Sequence, residues 1–179
     1  MMEFFANTIG RWLLGRKWMR LERNSVALNL SAMNSAVVIF DIGTESDYQL
    51  VIELVKVLKL EGVNAILVLG YCEEKVSPTY LDASIVRVLT KSEIRFMGFP
   101  TEEYSKRILN DSFDLLIDFT DKDKMPTEYF LTLIDAKTKV GRDNSVHQKI
   151  FDLLINQKGS DKKEYLKSVI HFLKMINKG

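Results

Sequence analysis

The sequence predicts an α/β fold: a three-layer α/β/α sandwich of Rossmann-like type, with a mostly parallel sheet of about six strands and an amphipathic helix ahead of it. Three observations predict it. Short continuous apolar runs, clearest at Phe113-Asp114-Leu115-Leu116-Ile117-Asp118, have strand length and little polar alternation, so they read as strands buried on both faces. The pentapeptide Phe113 to Ile117 recurs without change at Phe151 to Ile155. Between such runs lie segments with apolar residues at helical spacing, and strand–helix alternation of this kind calls for parallel pairing with crossover helices on the sheet faces.

Residues 1–35 are predicted to be a basic amphipathic helix with its connector, and residues 36–179 a single α/β domain. In the leading helix Phe5, Ile9, Trp12 and Leu13 share one arc at 100° per residue, which Arg16, Arg20 and Arg23 continue. One reading packs this helix on the domain, on a protein partner or on a second copy in a homodimer. The other lays it on a membrane surface, with the aromatics at the interface and the arginines on lipid phosphates.

Ala36 to Phe40 is the first predicted strand, turned by Asp41-Ile42-Gly43-Thr44. A helix follows to about Glu61 on Leu50, Leu54, Val57 and Leu58, and Gly62 stops it. Val63 to Leu69 is the second strand. Tyr71 to Lys91 reads as a surface excursion, and Glu93 to Met97 as a third strand ended by Gly98 and Pro100. Thr101 caps a helix to about Asn110. Phe113 to Phe119 is the fourth strand, and Pro126 opens a helix ending near Ala136. Lys139 to Gly141 is a short fifth strand, Phe151 to Ile155 the sixth, and a final helix runs from about Asp161 to Ile176 with Leu166, Val169, Ile170 and Leu173 inward.

Composition narrows the function classes. The chain has 179 residues, enough to bury a core, with 46% apolar and 27% charged residues. A net charge of +1 offers no electrostatic case for nucleic acid. The single Cys72 excludes an intramolecular disulfide, no run reaches the ~20 apolar residues of a membrane span, and Glu3, Arg11, Arg16 and Lys17 disqualify the N-terminus as a signal peptide. A cytoplasmic protein is expected.

In open parallel sheets ligands bind beyond the carboxyl ends of the strands, near the point where strand order reverses. The polar candidates there are Asp41, Thr44 and Asp47 after the first strand, Asp118, Thr120 and Asp121 after the fourth, and Gly141 and Arg142 after the fifth. Only Gly43 is available for backbone approach to a phosphate, and Glu45 and Asp47 fill the helix terminus where a pyrophosphate would sit. Asp41 and Asp118 have the chemistry of a general base or metal ligand, but Asp at a strand end is a common turn former, and that role is the favoured one. Cys72 and His147 have no feature that brings them together, and His171 beside Phe172 is expected to pack. No His or Cys pair has zinc-ligand spacing, so neither a metal nor a cofactor is expected.

Two family resemblances follow from these residues. Phe113 to Asp118, a helix, and then Ala136-Lys137-Thr138-Lys139-Val140-Gly141 resemble the N-terminal half of ADP-heptose-type glycosyltransferases over about thirty residues. Those enzymes place a catalytic acid directly after a first-strand glycine, whereas Gly43 is followed here by Thr44. The order Ile94 to Gly98, Phe113 to Asp118, Ala136 to Arg142 and Phe151 to Ile155, with a C-terminal Tyr/Leu-rich helix, is similar over most of the chain to a Bacteroidetes family of short α/β proteins without assigned activity. That similarity implies a one-domain, non-catalytic binding or interaction protein on a degenerate Rossmann-like scaffold. The alternative is a small-ligand or nucleotide-sugar-related domain that works at the strand ends.

Overall fold

The computed structural model describes residues 2–18, 25–121, 123–143, 150–156 and 161–176, with the side chains of 2–7, 17 and 18 left aside. Its sheet contains β1 (Ser35–Asp41), β2 (Ala65–Cys72), β3 (Val86–Thr90), β4 (Ser112–Phe119), β5 (Asp135–Arg142) and β6 (Leu153–Ile155). The order is β3-β2-β1-β4-β5-β6, and every pairing is parallel. That is the doubly wound Rossmann-like order, which reverses direction between β1 and β4.

The two middle strands have no wet face, which is why their sequences are unbroken apolar runs. Residues 36–39 and 115–117 are fully buried. Alternate side chains then feed two separate cores. Ala36, Val38, Phe40, Leu115, Ile117 and Phe119 meet α2 (Glu45–Leu60) and α5 (Lys162–Met175), through Val51, Leu54 and Leu58 of the first and Tyr165, Val169 and Leu173 of the second. Val37, Ile39, Leu69 and Leu116 face the other way, onto Leu14 of α1 (Met2–Trp18), Ile108 of α3 (Glu102–Leu109), and Met125, Tyr129 and Phe130 of α4 (Met125–Leu133). The expected three layers are present, with two helices on one face and three on the other.

The repeated pentapeptide has a shared job at the amino ends of the strands. Asp114 Oδ2 accepts the backbone N–H of Asn34 and Ser35 at 2.8 and 3.1 Å, tying the start of β1 to β4. Asp152 Oδ2 accepts the backbone N–H of Lys139 at 2.7 Å, tying β6 to β5. An acidic residue inside an apolar strand is tolerated here because its oxygens take up N–H groups that the ladder leaves over. Lys139 is itself fully buried, and its ammonium donates to the carbonyls of Leu131 and Thr132 at the end of α4, at 2.8 and 3.2 Å.

Several expectations need correction. Glu93 to Met97 is not a strand: Thr90 and Glu93 form a capping box on a short 3-10 turn, and Met97 at φ 73° lies in the left-handed region that a strand does not use. The third strand is β3, inside the segment read as a surface excursion. It stands at the sheet edge with Arg87 exposed, so it never had the apolar run of a central strand. β5 starts at Asp135, four residues earlier than expected, because α4 ends at Leu133. β6 keeps only three residues of the Phe151 pentapeptide.

The N-terminal helix packs on the domain, though not by the predicted arc. Leu14 is buried and Ile9 and Trp12 are 49% and 60% exposed. The inward face runs through Gly10, where an added Cβ would come within 2.7 Å of the Met97 carbonyl oxygen, and Arg11, whose Nε and Nη2 donate to Glu128 at 3.0 and 2.5 Å. Glu128 is fully buried, so its charge requires that partner. The side chain of Phe5, and Arg20 and Arg23 entirely, lie outside the described residues.

Gly141 carries a close-packing constraint that can be tested. A Cβ there would lie 2.6 Å from the Phe151 ring, which is itself buried. Gly141→Ala is expected to lower the urea-unfolding free energy by about 1–3 kcal/mol, the usual range for overpacking. Adding Phe151→Leu to that variant should recover part of the loss. If the two substitutions add independently, ring contact is not the constraint.

Candidate functional site

The carboxyl ends of the strands bring most of the predicted polar residues together around the β1/β4 reversal. The register pairs Ile39 with Asp118 and Phe40 with Phe119, so Asp41 and Asp118 stand at the lips of adjacent strands. Both are almost fully buried. Asp118 Oδ1 accepts from the Thr120 backbone N–H at 2.9 Å and from its hydroxyl at 2.8 Å, closing the turn after β4. Asp41 Oδ2 accepts the backbone N–H of Asp121 at 3.0 Å, which holds the loop after β4 onto β1.

Two lysines that the sequence reading passed over organise the acids. Lys124 Nζ stands 3.4 Å from Asp41 and 3.1 Å from Glu73, over the ring of Tyr71. Lys162, the first residue of α5, bridges Asp47 at 2.6 Å and Asp121 at 2.5 Å. Burial works against both ammonium charges, but the flanking carboxylates outweigh it and hold the two lysines above their ordinary value. The signal was available in position: Lys124 closes the charged loop after β4 and Lys162 follows the N-cap Asp161, both on the side of the sheet where α/β sites form.

Thr44 and Asp47 form a reciprocal capping box at the start of α2, with the Thr44 backbone N–H donating to Asp47 Oδ2 at 3.0 Å and the Asp47 N–H to Thr44 Oγ1 at 3.2 Å. Burial raises the Asp47 carboxyl, but Lys162 and Thr44 together hold it below its usual range. The helix terminus where a dinucleotide fold would take a phosphate is thus supplied by the chain's own carboxylate.

Arg142 differs from its neighbours. It leaves the end of β5 on the α5 side, and its guanidinium lies 4.2 Å over the ring of Tyr165, whose hydroxyl donates to the Asp118 backbone carbonyl at 2.8 Å. Its Nε and Nη2 are shielded from solvent and make no hydrogen bond to the protein among the described residues. Buried N–H donors on a charged group are costly to leave unmet, and this sets Arg142 apart from the paired acids around it.

Other candidates fall away from this cluster. Cys72 is buried with its thiol directed at the Val76 carbonyl, and His147 lies outside the described residues. His171 does not pack into the core: it is exposed and meets exposed Phe172 edge to face at 5.5 Å. Among the described residues no group of three or more His, Cys, Asp or Glu side chains is arranged for a metal, and no helix is long and apolar enough to cross a membrane.

Asp118 generates a pH prediction. Burial above all, and then the Asp41 charge, against its Thr120 hydrogen bonds and Arg142, push its carboxyl up to about 6 from 3.8. The fold therefore favours the protonated form, and the associated stability is fully present below 3.8 and lost as pH rises through about 6. Asp118→Asn keeps an acceptor for Thr120 and removes the titration. It should flatten this part of the stability profile and gain on the order of 2 kcal/mol at pH 8. Urea unfolding across that range checks it; an Asn variant that is less stable at pH 8 with the slope unchanged would refute the assignment.

The solved structure of E. coli heptosyltransferase WaaC with ADP is similar at 12% identity and a TM-score of 0.48, over 80% of this chain and 48% of that one, so this chain spans about half its length. No curated protein matches. Residues 8–176 match the family described as Family of unknown function (DUF6913), and the chain belongs to that family.

Proposed function

We propose that this chain is a non-catalytic binding protein on a degenerate Rossmann-like scaffold, and that its ligand presents a carboxylate or phosphate oxygen to Arg142. The single observation that carries this reading is the contrast at the strand ends. Asp41, Asp47, Asp118 and Asp121 are each engaged by a lysine or a turn of the chain, whereas the buried Nε and Nη2 of Arg142 have no hydrogen-bond partner in the protein among the described residues. A general base needs an accessible lone pair directed at substrate; Asp118 is only 5% exposed, and its Oδ1 is already taken by the Thr120 turn. The guanidinium stacked on Tyr165 is by contrast a pre-oriented donor.

Thermal-shift screening of the wild-type chain against nucleotides, sugars, nucleotide sugars, simple carboxylates, inorganic phosphate and divalent metals tests this. An anionic ligand at 100 times its dissociation constant should add about 2.7 kcal/mol of stability. Arg142→Met, which keeps the packing on Tyr165, should abolish the shift. A silent screen, or a hit that Arg142→Met leaves intact, sinks the reading. The nucleotide-sugar alternative predicts turnover as well: glycosyl transfer detected by mass spectrometry and lost in Asp118→Asn would favour it over binding alone.

A second reading rests on a different observation, the outward face of α1. Ile9 and Trp12 are exposed there, with the Arg16 guanidinium 5.0 Å over the Trp12 ring. The same stretch of sequence adds Lys17, Arg20 and Arg23. Aromatic and basic groups together fit an anionic membrane surface. Wild-type protein should then sediment with phosphatidylserine vesicles and not with neutral ones, and Trp12→Ala should reduce sedimentation several-fold. No sedimentation, with a dimer on size exclusion that Trp12→Ala dissociates, would transfer this face to a second copy of the chain.

A further inference from the structure

The edge strand β3 and helix α3 flank an open cleft that is independent of the strand-end cluster. Its volume is about 520 Å³, within the ~300–1,000 Å³ typical of small-molecule sites. Val88 and Ile108 supply its apolar lining, Tyr104 lines it as well, and Arg87, Arg107 and Glu93 are its charged walls. The polar groups are held. Arg87 Nη1 donates to the backbone carbonyl of Arg107 at 3.2 Å, which fixes the guanidinium against the end of α3. Glu93 Oε2 accepts from the Thr90 backbone N–H at 2.8 Å and its hydroxyl at 3.1 Å. The exposed Arg107 pairs with Glu103 on its own helix and is the less available of the two arginines.

Tyr104 is the unusual member. Its hydroxyl is shielded from solvent and makes no hydrogen bond to the protein among the described residues. Burial, and then the charge of Glu93, push its ionisation above the ordinary range against the pull of Arg87, so it is an O–H donor throughout the physiological range. A phenol is ordinarily placed with its oxygen in water or on a partner, because leaving it buried and unmet is costly.

We propose that this cleft binds a small monocarboxylate with a compact apolar body, its carboxylate shared between the Tyr104 hydroxyl and the Arg87 guanidinium and its body on Val88 and Ile108. One negative charge is favoured over two because Glu93 shares the cleft and repels a dianion such as phosphate. The apolar lining selects against small inorganic anions for the same reason that it selects for a hydrocarbon body.

Amide chemical-shift titration of the wild-type chain with hexanoate and benzoate tests this, with hexanol and inorganic phosphate as comparators. At least one carboxylate should give saturable shifts centred on Val88, Tyr104 and Ile108. Arg87→Gln should weaken binding about tenfold and Tyr104→Phe roughly three- to tenfold. Tyr104→Phe should melt at the same temperature as the wild type or higher, because it removes a buried hydroxyl without a partner. The proposal is overturned by no saturable shift with either carboxylate, by hexanol or phosphate binding as tightly as hexanoate, or by affinity unchanged in Arg87→Gln. A Tyr104→Phe chain that melts well below the wild type would equally overturn it, since the hydroxyl would then already have a structural role. Failure here leaves Arg142 untouched, because the two sites share no residue.

Discussion

The constraint on which everything else depends is that β1 and β4 are buried on both faces. A peptide chain in that position satisfies its backbone only through the neighbouring strands, and its side chains must be apolar in both directions. The fully buried runs at 36–39 and 115–117 meet that requirement, and each face then needs its own layer of helices. Tyr48, Val51, Leu54 and Leu58 of α2 and Tyr165 to Leu173 of α5 cover one side. Leu14, Ile108 and the Met125 to Leu131 stretch cover the other. Parallel pairing follows, because crossover helices are the elements that bring the chain back to the same end of the sheet.

Polar groups can then enter the sheet only at strand ends or where a backbone group awaits them. At the amino ends Asp114 and Asp152 serve neighbouring strands as acceptors. At the carboxyl ends the acids would repel one another if left alone, and Lys124 and Lys162 enter between them. This is an electrostatic closure of the crevice where such folds place their ligands. What it leaves is the guanidinium of Arg142, held by an aromatic face in place of a carboxylate. Its Nε and Nη2 make no hydrogen bond to the protein among the described residues.

How far the sequence was legible depended on how strongly burial acted on each segment. Ala36 to Phe40 and Phe113 to Phe119 were readable because their burial on both faces leaves an unmistakable apolar run. The helix after Thr44 was readable from the spacing of Leu50, Leu54, Val57 and Leu58 and from Gly62 at its end, whereas its capping box emerged only in the structure. β3 was not, since an edge strand answers to only part of the core and accommodates Arg87. Glu93 to Met97 misled in the opposite sense: a few apolar residues imitate a strand, while Met97 adopts a left-handed turn that receives α1. For α1 the apolar arc pointed to Ile9 and Trp12, but contact with the domain was made through Gly10, Arg11 and Leu14. A close approach and an ion pair between a half-exposed arginine and a buried carboxylate leave no hydrophobic period to read.

The sequence by itself therefore determined the fold class, the two central strands, the helix between the first two strands, and which acids stand at the strand ends, because each depends on local pattern and burial. Only the tertiary structure decided the strand order, the entry of Lys124 and Lys162 among those acids, the isolation of Arg142 on Tyr165 and the cleft between β3 and α3. Those features join residues far apart in the chain, from Asp47 to Lys162 and from Arg87 to Tyr104 across separate elements. Their spacing along the sequence carries no trace of the distances at which charges attract or walls flank a cleft.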